Sequence, residues 1–412
     1  MKPFAVVLTV IGMLAGVGGC GSTAATSTGT IQFWNNLVGD DGPQMQKMVN
    51  AYNATNPAYK VVFQPMNGND LTTKIYSVMQ TKKNIPDIII GDEFQTAVLQ
   101  SQGLLNTMDQ WQQNEPDLVK KNFLPQTWKN VMVDQQAYGI PMYMYQMAIY
   151  YNKDLVNKYH LGYILKDGFV TIDEIRSLKG KIPKGMYGLA LGNLPWAFVP
   201  LLYGAGGTLE NNMSDLTSSV WRKPFEKLIA AYKDGVIAPS DVDGEQAFGS
   251  GKAVFAQLGT WSQGNMSKTL GADKIAEANT LQYDSKHFSN FLFQCNWMQL
   301  KDPNRSAAKS AAAAKFVDYV YKNWMDWSNV GSISPAYRDL NNPEYRKLIQ
   351  ASFTNSERER KYITTSNYIY GGYSASAWGT YADIVFGNVS LNDGLKTLNL
   401  TAQGQIEIQK ES

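Results

Sequence analysis

The sequence predicts an α/β protein divided into two lobes. The chain has 412 residues, and about 100 to 200 residues per domain is usual, so a division in two is the natural expectation. From residue 31 onward, short apolar runs alternate with stretches of helical periodicity, the order expected of mainly parallel sheets flanked by helices. No repeat of fixed period interrupts that order.

The opening unit is strand, helix, strand. Residues 31–34 and 61–63 are short apolar runs, and between them Met45, Met48, Val49 and Tyr52 recur at helical spacing. A second helix carries Leu71, Ile75, Val78 and Met79 on one face. Pro86 then introduces the apolar run of residues 87–90, which Gly91 and Asp92 close. Later, Trp221, Phe225, Leu228, Ile229 and Tyr232 form a core-facing helical stripe. Ala308, Ala311, Ala312, Lys315, Phe316 and Tyr319 form another after the polar turn Asp302-Pro303-Asn304-Arg305.

The amino terminus has a different character. Lys2, the apolar run of residues 4–17, and Gly18-Gly19 before Cys20 have the layout of a secretory signal, residues 1–19. That run is too short to span a bilayer comfortably. Cysteine directly after Val17-Gly18-Gly19 resembles the bacterial lipobox, which implies lipidation at Cys20 and a membrane-anchored protein. The small uncharged residues 20–30 read as a flexible tether.

Composition narrows the function. Lys and Arg number 37 against 35 Asp and Glu, which supplies no electrostatic drive toward nucleic acid or an anionic membrane. Charged residues are 17% and aromatic residues 12%, with 10 Trp and 23 Tyr, more rings than a core of this size needs, so some should line a site. The two cysteines, Cys20 and Cys295, cannot form a disulfide framework. Cys295 reads as a buried free thiol that behaves as a small apolar group.

Several chemistries are missing. His160 and His287 are the only histidines, and no Cys-x-x-Cys or His-Glu-x-x-His pattern offers a metal site. Neither a Gly-x-Ser-x-Gly elbow nor a phosphate-binding Gly-x-x-x-x-Gly-Lys loop occurs, and Gly204-Ala205-Gly206-Gly207 lacks the spacing of a dinucleotide fingerprint. Asp92 and Glu93 are adjacent, whereas glycosidase carboxylates stand about 5 to 9 Å apart on either side of the scissile bond. No cofactor, metal or catalytic residue is expected.

Four blocks in order carry a specific resemblance. They are Tyr138-Gly139-Ile140-Pro141 followed by Tyr150-Tyr151-Asn152-Lys153-Asp154-Leu155; Pro86-Asp87-Ile88-Ile89-Ile90 with Gly103-Leu104-Leu105; Phe248-Gly249-Ser250-Gly251-Lys252-Ala253-Val254-Phe255 with Gly259-Thr260-Trp261; and residues 306–319 with Ser334-Pro335. Together they resemble the extracellular solute-binding proteins related to maltose-binding protein. The resemblance implies a two-lobed periplasmic-binding-protein-like fold, each lobe a mainly parallel sheet flanked by helices. It also implies a hinge of three crossovers, expected near Pro141, Phe288 and Trp327. Lobe 1 is then residues 31–141 with 288–326, and lobe 2 residues 142–287 with 327–412. The function implied is that of a monomeric carbohydrate receptor, lipid-anchored on the outer side of the cell membrane, serving the permease of an ABC transporter and using no cofactor.

A sugar offers apolar C–H faces to aromatic rings and hydroxyls to amides and carboxylates at its edge. Asn35 and Asn36 follow the first strand, and Asp92 and Glu93 follow the strand of residues 87–90, where open α/β sheets bind ligands. A helix cap or a solvated loop is the alternative reading for each. By resemblance, Trp196, Trp261 and Trp378 occupy positions of stacking rings, and Trp297 with Asn296 lies just past the return to lobe 1. Tyr145 and Leu194 stand where the maltose receptor has acidic residues, a departure that puts maltodextrin itself in question.

Three rivals remain open. A glycerophosphodiester receptor would favour cleft arginines, yet none occurs between residues 31 and 159. A polyamine receptor would favour more carboxylates and no amide-rich edge. A secreted glycan-active enzyme is the rival from another class.

Overall fold

The computed structural model describes residues 29–192, 194–354, 373 and 378–411. The expected signal peptide, Cys20 and most of the tether lie outside the described residues.

Strand β1, Gly29–Asn35, starts earlier than the apolar run suggested. Gly29 and Thr30 pair with Tyr59 and Lys60 of β2, Tyr59–Pro65, because ladder hydrogen bonds use the backbone and need no apolar side chain. Two residues assigned to the tether are therefore sheet. β3, Ile88–Asp92, pairs with β1 on its other side, also in parallel. A small hairpin, β4 (Met132–Val133) and β5 (Gln136–Ala137), precedes the long strand β6, Ile140–Asn152. β7 (Phe169–Thr171), β8 (Tyr187–Leu191), β9 (Ala253–Gly259), β10 (Ile275–Gln282) and β11 (Leu292–Met298) follow.

The sheet runs β2-β1-β3-β11-β6-β10-β7, with β9 also on β6 and β8 on β9. Parallel pairing holds for β2-β1-β3, β10-β7 and β8-β9, and antiparallel pairing enters with β6 and β11. β6 is the spine. Its residues up to Gln146 pair with β11, and from Met147 onward its partners are β9 and β10. The partner change falls inside the strand at Gln146 and Met147, past the expected Pro141, since a continuous strand can serve two sheets without a loop.

The second connection, residues 283–291, contains Phe288, which packs on Phe169 with ring centroids 5.5 Å apart. The third was expected at Trp327, but that ring is fully buried in the first core beside Tyr143 and Trp324. The chain remains in this core as far as Ala336, which bridges to Phe123, and meets the spine on the way where Ile333 bridges to Met144.

Two main cores match this division. Phe33, Met45, Ile90, Trp111, Trp297, Phe316 and Trp324 belong to the first. Phe198, Trp221, Phe225, Leu281 and Tyr381 belong to the second. Met144, Ala148, Leu292, Ile333 and Phe353 form a smaller cluster around the spine. The helix Ser219–Lys233 buries Trp221, Phe225 and Leu228 as its periodicity predicted. The helix Ala307–Lys322 is rotated from expectation: Ser310, Ala313, Ala314, Val317 and Val320 face inward with Phe316, while Ala308 and Lys315 are exposed. A run of alanines carries too little hydrophobic contrast to set the face, and the larger Phe316, Val317 and Val320 decide it.

Asp87 ties the first sheet to this helix. It is fully buried, bonded to Arg305 at 3.1 Å and Lys309 at 2.9 Å, and accepts the Gln32 amide at 2.8 Å. Arg305 also donates to the Leu300 and Pro86 carbonyls.

Candidate functional site

A cavity of about 430 Å³ lies between the two halves, within the usual range for small-molecule sites. Three groups of elements converge on it. After β1 the chain turns through Asn36, Val38, Gly39 and Asp40 into the helix Asp41–Ala54. From the spine and its neighbour come Tyr143, Tyr145 and Cys295. The other wall is Trp196 on the helix Leu194–Gly204 and Thr260 and Trp261 on the turn Thr260–Ser262, with Val330, Gly331 and Ser332 closing one side.

The aromatic wall has a defined geometry. Tyr145 stacks on Phe293 with centroids 5.1 Å apart and planes 11° from parallel, and meets Trp261 nearly edge-on at 5.4 Å. Trp196 stands perpendicular to Phe293 at 4.4 Å. Strand alternation explains why Tyr143 and Tyr145 share a face: Met142, Met144 and Gln146 are fully buried between and beyond them. Trp261 remains 38% exposed, so one face is open to a ligand.

Trp261 is held by its turn. The Tyr150 hydroxyl donates to the Gly259 and Thr260 carbonyls at 3.0 and 3.2 Å. Glu245 accepts from the Ser262 hydroxyl at 2.5 Å and from the Asn265 amide at 2.8 Å.

The polar edge comes from the first lobe. Asn36 presents a buried Oδ1 without a hydrogen-bond partner. Asp41 accepts the Gly39 and Gly42 amides at 3.0 and 2.8 Å, yet burial, ahead of those bonds, raises its carboxyl above the ordinary range. Burial likewise pushes the Cys295 thiol well up, a direction that the Tyr143 hydroxyl partly opposes and the charges of Asp92, Glu93 and Asp41 reinforce. Such a thiol stays protonated at neutral pH and is no nucleophile.

Of the residues expected at the site, the cavity wall contains Asn36, Tyr145, Trp196 and Trp261. The rest go elsewhere. Asn35 is buried behind the wall, where its side chain accepts the Leu37 amide at 3.1 Å and donates to the Phe33 carbonyl. Asp92 caps the helix Glu93–Ser101 through the Gln95 amide at 2.7 Å, the alternative its sequence left open. Glu93 accepts the Gln294 amide at 2.8 Å, and burial, then the neighbouring Asp92 charge, raises its carboxyl well above the usual range. Asn296 is buried and donates to Thr96 at 2.9 Å. Alternation along β11 turns Cys295, not Asn296, toward the cavity. Trp297 is core, packed on Phe33 at 5.2 Å and Phe316 at 6.1 Å. Trp378 opens the helix Trp378–Phe386, but its side chain lies outside the described residues.

Sequence reasoning missed Asp40, Asp41, Tyr143 and Cys295. Two signals could have found three of them. Asp40 and Asp41 follow the carboxyl end of the first strand, where open sheets bind ligands. Tyr143 sits two positions before Tyr145 on one strand, and so on the same face.

The comparisons agree with this architecture. Residues 36–284 match the family model described as bacterial extracellular solute-binding protein. The GacH receptor of Streptomyces glaucescens, solved unliganded and with acarbose, has a TM-score of 0.75 at 17% identity, covering 92% of this chain and 99% of that one. An ABC substrate-binding protein from Listeria monocytogenes in complex with cycloalternan gives 0.73 at 16%, with 92% and 99% covered. The maltose/maltodextrin-binding domain MalE of Bdellovibrio bacteriovorus, bound to maltotriose, gives 0.73 at 16%, with 92% and 100% covered. At such identities the likeness is one of fold, and it matches the two-lobed architecture expected from the sequence. No curated protein sequence matches the chain.

Proposed function

The chain belongs to the bacterial extracellular solute-binding protein family, and from that premise we propose that it is the carbohydrate receptor of an ABC importer, closing its lobes around an oligosaccharide in the cavity beside Trp261. The family works outside the cytoplasm, on the extracellular or periplasmic side. Cys20 would carry the lipid anchor that keeps the receptor near its permease, since several acyl chains hold a protein stably at a bilayer where one does not. The receptor would act as a monomer.

The observation that carries the sugar reading is the convergence of rings and unpaired polar atoms. Tyr145, Trp196 and Trp261 offer faces for sugar C–H groups, and Asn36 Oδ1 offers an acceptor for a hydroxyl. Burying ring and sugar surface contributes about 25 cal/mol per Å² of apolar area. A hydroxyl that misses its partner in the closed cleft costs about 1 to 3 kcal/mol, so the polar edge sets selectivity. Among the described residues no arginine lines the cavity, which disfavours a phosphodiester. The carboxylates of Asp40 and Asp41 support, as a second reading, a cationic solute such as a polyamine.

Binding without chemistry is the expectation. Titrating the soluble chain, begun after Cys20, with maltotriose and with other tri- and tetrasaccharides should change tryptophan fluorescence saturably for one sugar class. That sugar should be recovered intact. Cleaved sugar would support the enzyme reading, and a response to spermidine alone would support the second.

A further inference from the structure

Asp40 and Lys268 are 228 positions apart in sequence, yet Lys268 Nζ lies 2.9 Å from Asp40 Oδ1. Asp40 belongs to the turn after β1, in the first lobe, and lines the cavity. Lys268 is on the helix Gln263–Leu270, which packs on β10 and the helix Gly244–Gly249 in the second. We propose that this pair is an electrostatic latch, made only when the lobes close, that sets the balance between closed and open receptor. The inference rests on the hinge closure of the reading above but not on which solute enters.

A second feature of the same contact supports it. Gly264 lies one helical turn before Lys268, so both present the same face. A Cβ at Gly264 would come within 2.8 Å of Asp40 Oδ2, an oxygen that is buried without a hydrogen-bond partner. The helix thus approaches the Asp40 turn closely because position 264 has no side chain. Once the lobes separate, that space is free and any small residue fits.

Opening the lobes breaks one contact of a partly solvated kind: the Lys268 and Asp40 side chains are 71% and 30% exposed. Exposed pairs are individually weak and are screened by salt. The latch therefore shifts the ratio of closed to open receptor by about two- to fivefold at low ionic strength, enough to tune release without locking the cleft.

The test uses single-molecule energy transfer on the soluble chain begun after Cys20, with dyes on Lys60→Cys of β2 and Lys223→Cys of the helix Ser219–Lys233, both exposed, and with no sugar present. Cys295 faces the cavity, so the dye pair is introduced in a Cys295→Ser background. The wild-type closed fraction should fall between roughly 50 mM and 1 M salt. Lys268→Gln should start lower by about two- to fivefold in that ratio and show little further response. Gly264→Val should lower the closed fraction through the collision instead and remain salt-sensitive. Exchanging the charges, Asp40→Lys with Lys268→Asp, should restore much of the wild-type ratio. A Lys268→Gln variant with wild-type closed fraction and wild-type salt response would overturn the latch while leaving the hinge intact. A wild type with no closed population at low salt would overturn it as well, and a single state unmoved by any solute would overturn hinge closure itself.

Discussion

The Tyr145 ring lies parallel to Phe293, with planes 11° apart and centroids 5.1 Å apart. The stack joins neighbouring strands β6 and β11 at the point where β6 is about to leave β11 for the second lobe. The same tyrosine lines the cavity and touches Trp261. Hinge and binding wall therefore share one side chain, and a ligand that settles on Tyr145 sits against the strand about which the lobes would move.

Removing that ring should weaken binding strongly. Tyr145→Ala deletes both a wall for the sugar and the stack on Phe293, an aromatic pair worth about 0.5 to 1.5 kcal/mol beyond its area. Calorimetric titration should show at least a tenfold loss of affinity, about 1.4 kcal/mol. Tyr145→Phe should recover most of it. Equal losses in both variants would mean that the hydroxyl, not the ring face, makes the contact.

Trp261→Ala separates binding from stability. The ring is 38% exposed, so its removal opens no large core cavity, and the melting temperature without ligand should stay close to wild type. Affinity should fall about tenfold or more through the lost stacking face and its apolar area. An unchanged dissociation constant for a folded variant would remove Trp261 from the site.

Asp87→Ala tests the buried junction of sheet and helix. The change leaves Arg305 without its carboxylate in a position where its side chain is 3% exposed. Breaking a buried pair from one side costs about 3 to 5 kcal/mol. Urea unfolding should show a loss of that order, with sugar affinity of the remaining folded protein little changed, because Asp87 lies outside the cavity wall.

Glu277 makes stability depend on pH. Burial pushes its carboxyl up to about 8 from an ordinary value of 4.5, with only a smaller opposing influence from the nearby Tyr150 hydroxyl. Between those two values the folded chain holds a proton that the unfolded chain has released, so stability falls as pH rises through this window and levels off above it. Glu277→Gln should flatten that slope, read as urea midpoints at pH 5 and pH 8.5. An undiminished slope in the variant would assign the dependence to other groups, among them Asp339, which burial raises to about 6.

Much of the fold was legible because its signals are local. The apolar run of residues 87–90, the Trp221, Phe225 and Leu228 stripe and the order of elements depend on short-range periodicity, and the structure follows them. The site was legible in part. Asn36 could be found from its place after the first strand, and Trp196, Trp261 and Tyr145 through the resemblance to the solute-binding family, but Trp297 and Asn296 could not be sorted from Cys295 without the register of β11. A tryptophan that stacks on a sugar and one that fills a core look the same in a sequence; the partners across the sheet decide which it is. The hinge was hidden for a related reason. A strand that changes partners at Gln146 without breaking has no turn residues to mark the change.

The most direct test of the central claim is thermal unfolding of the soluble chain, begun after Cys20, against a panel of mono- to tetrasaccharides with spermidine and a glycerophosphodiester alongside. Ligand at 100 times its dissociation constant adds about 2.7 kcal/mol of stability, which shifts the transition of a protein this size by a few degrees. The carbohydrate-receptor account predicts such a shift with one class of sugar and none with the other two solutes. A shift with spermidine or the phosphodiester, and none across the whole sugar panel, would contradict it.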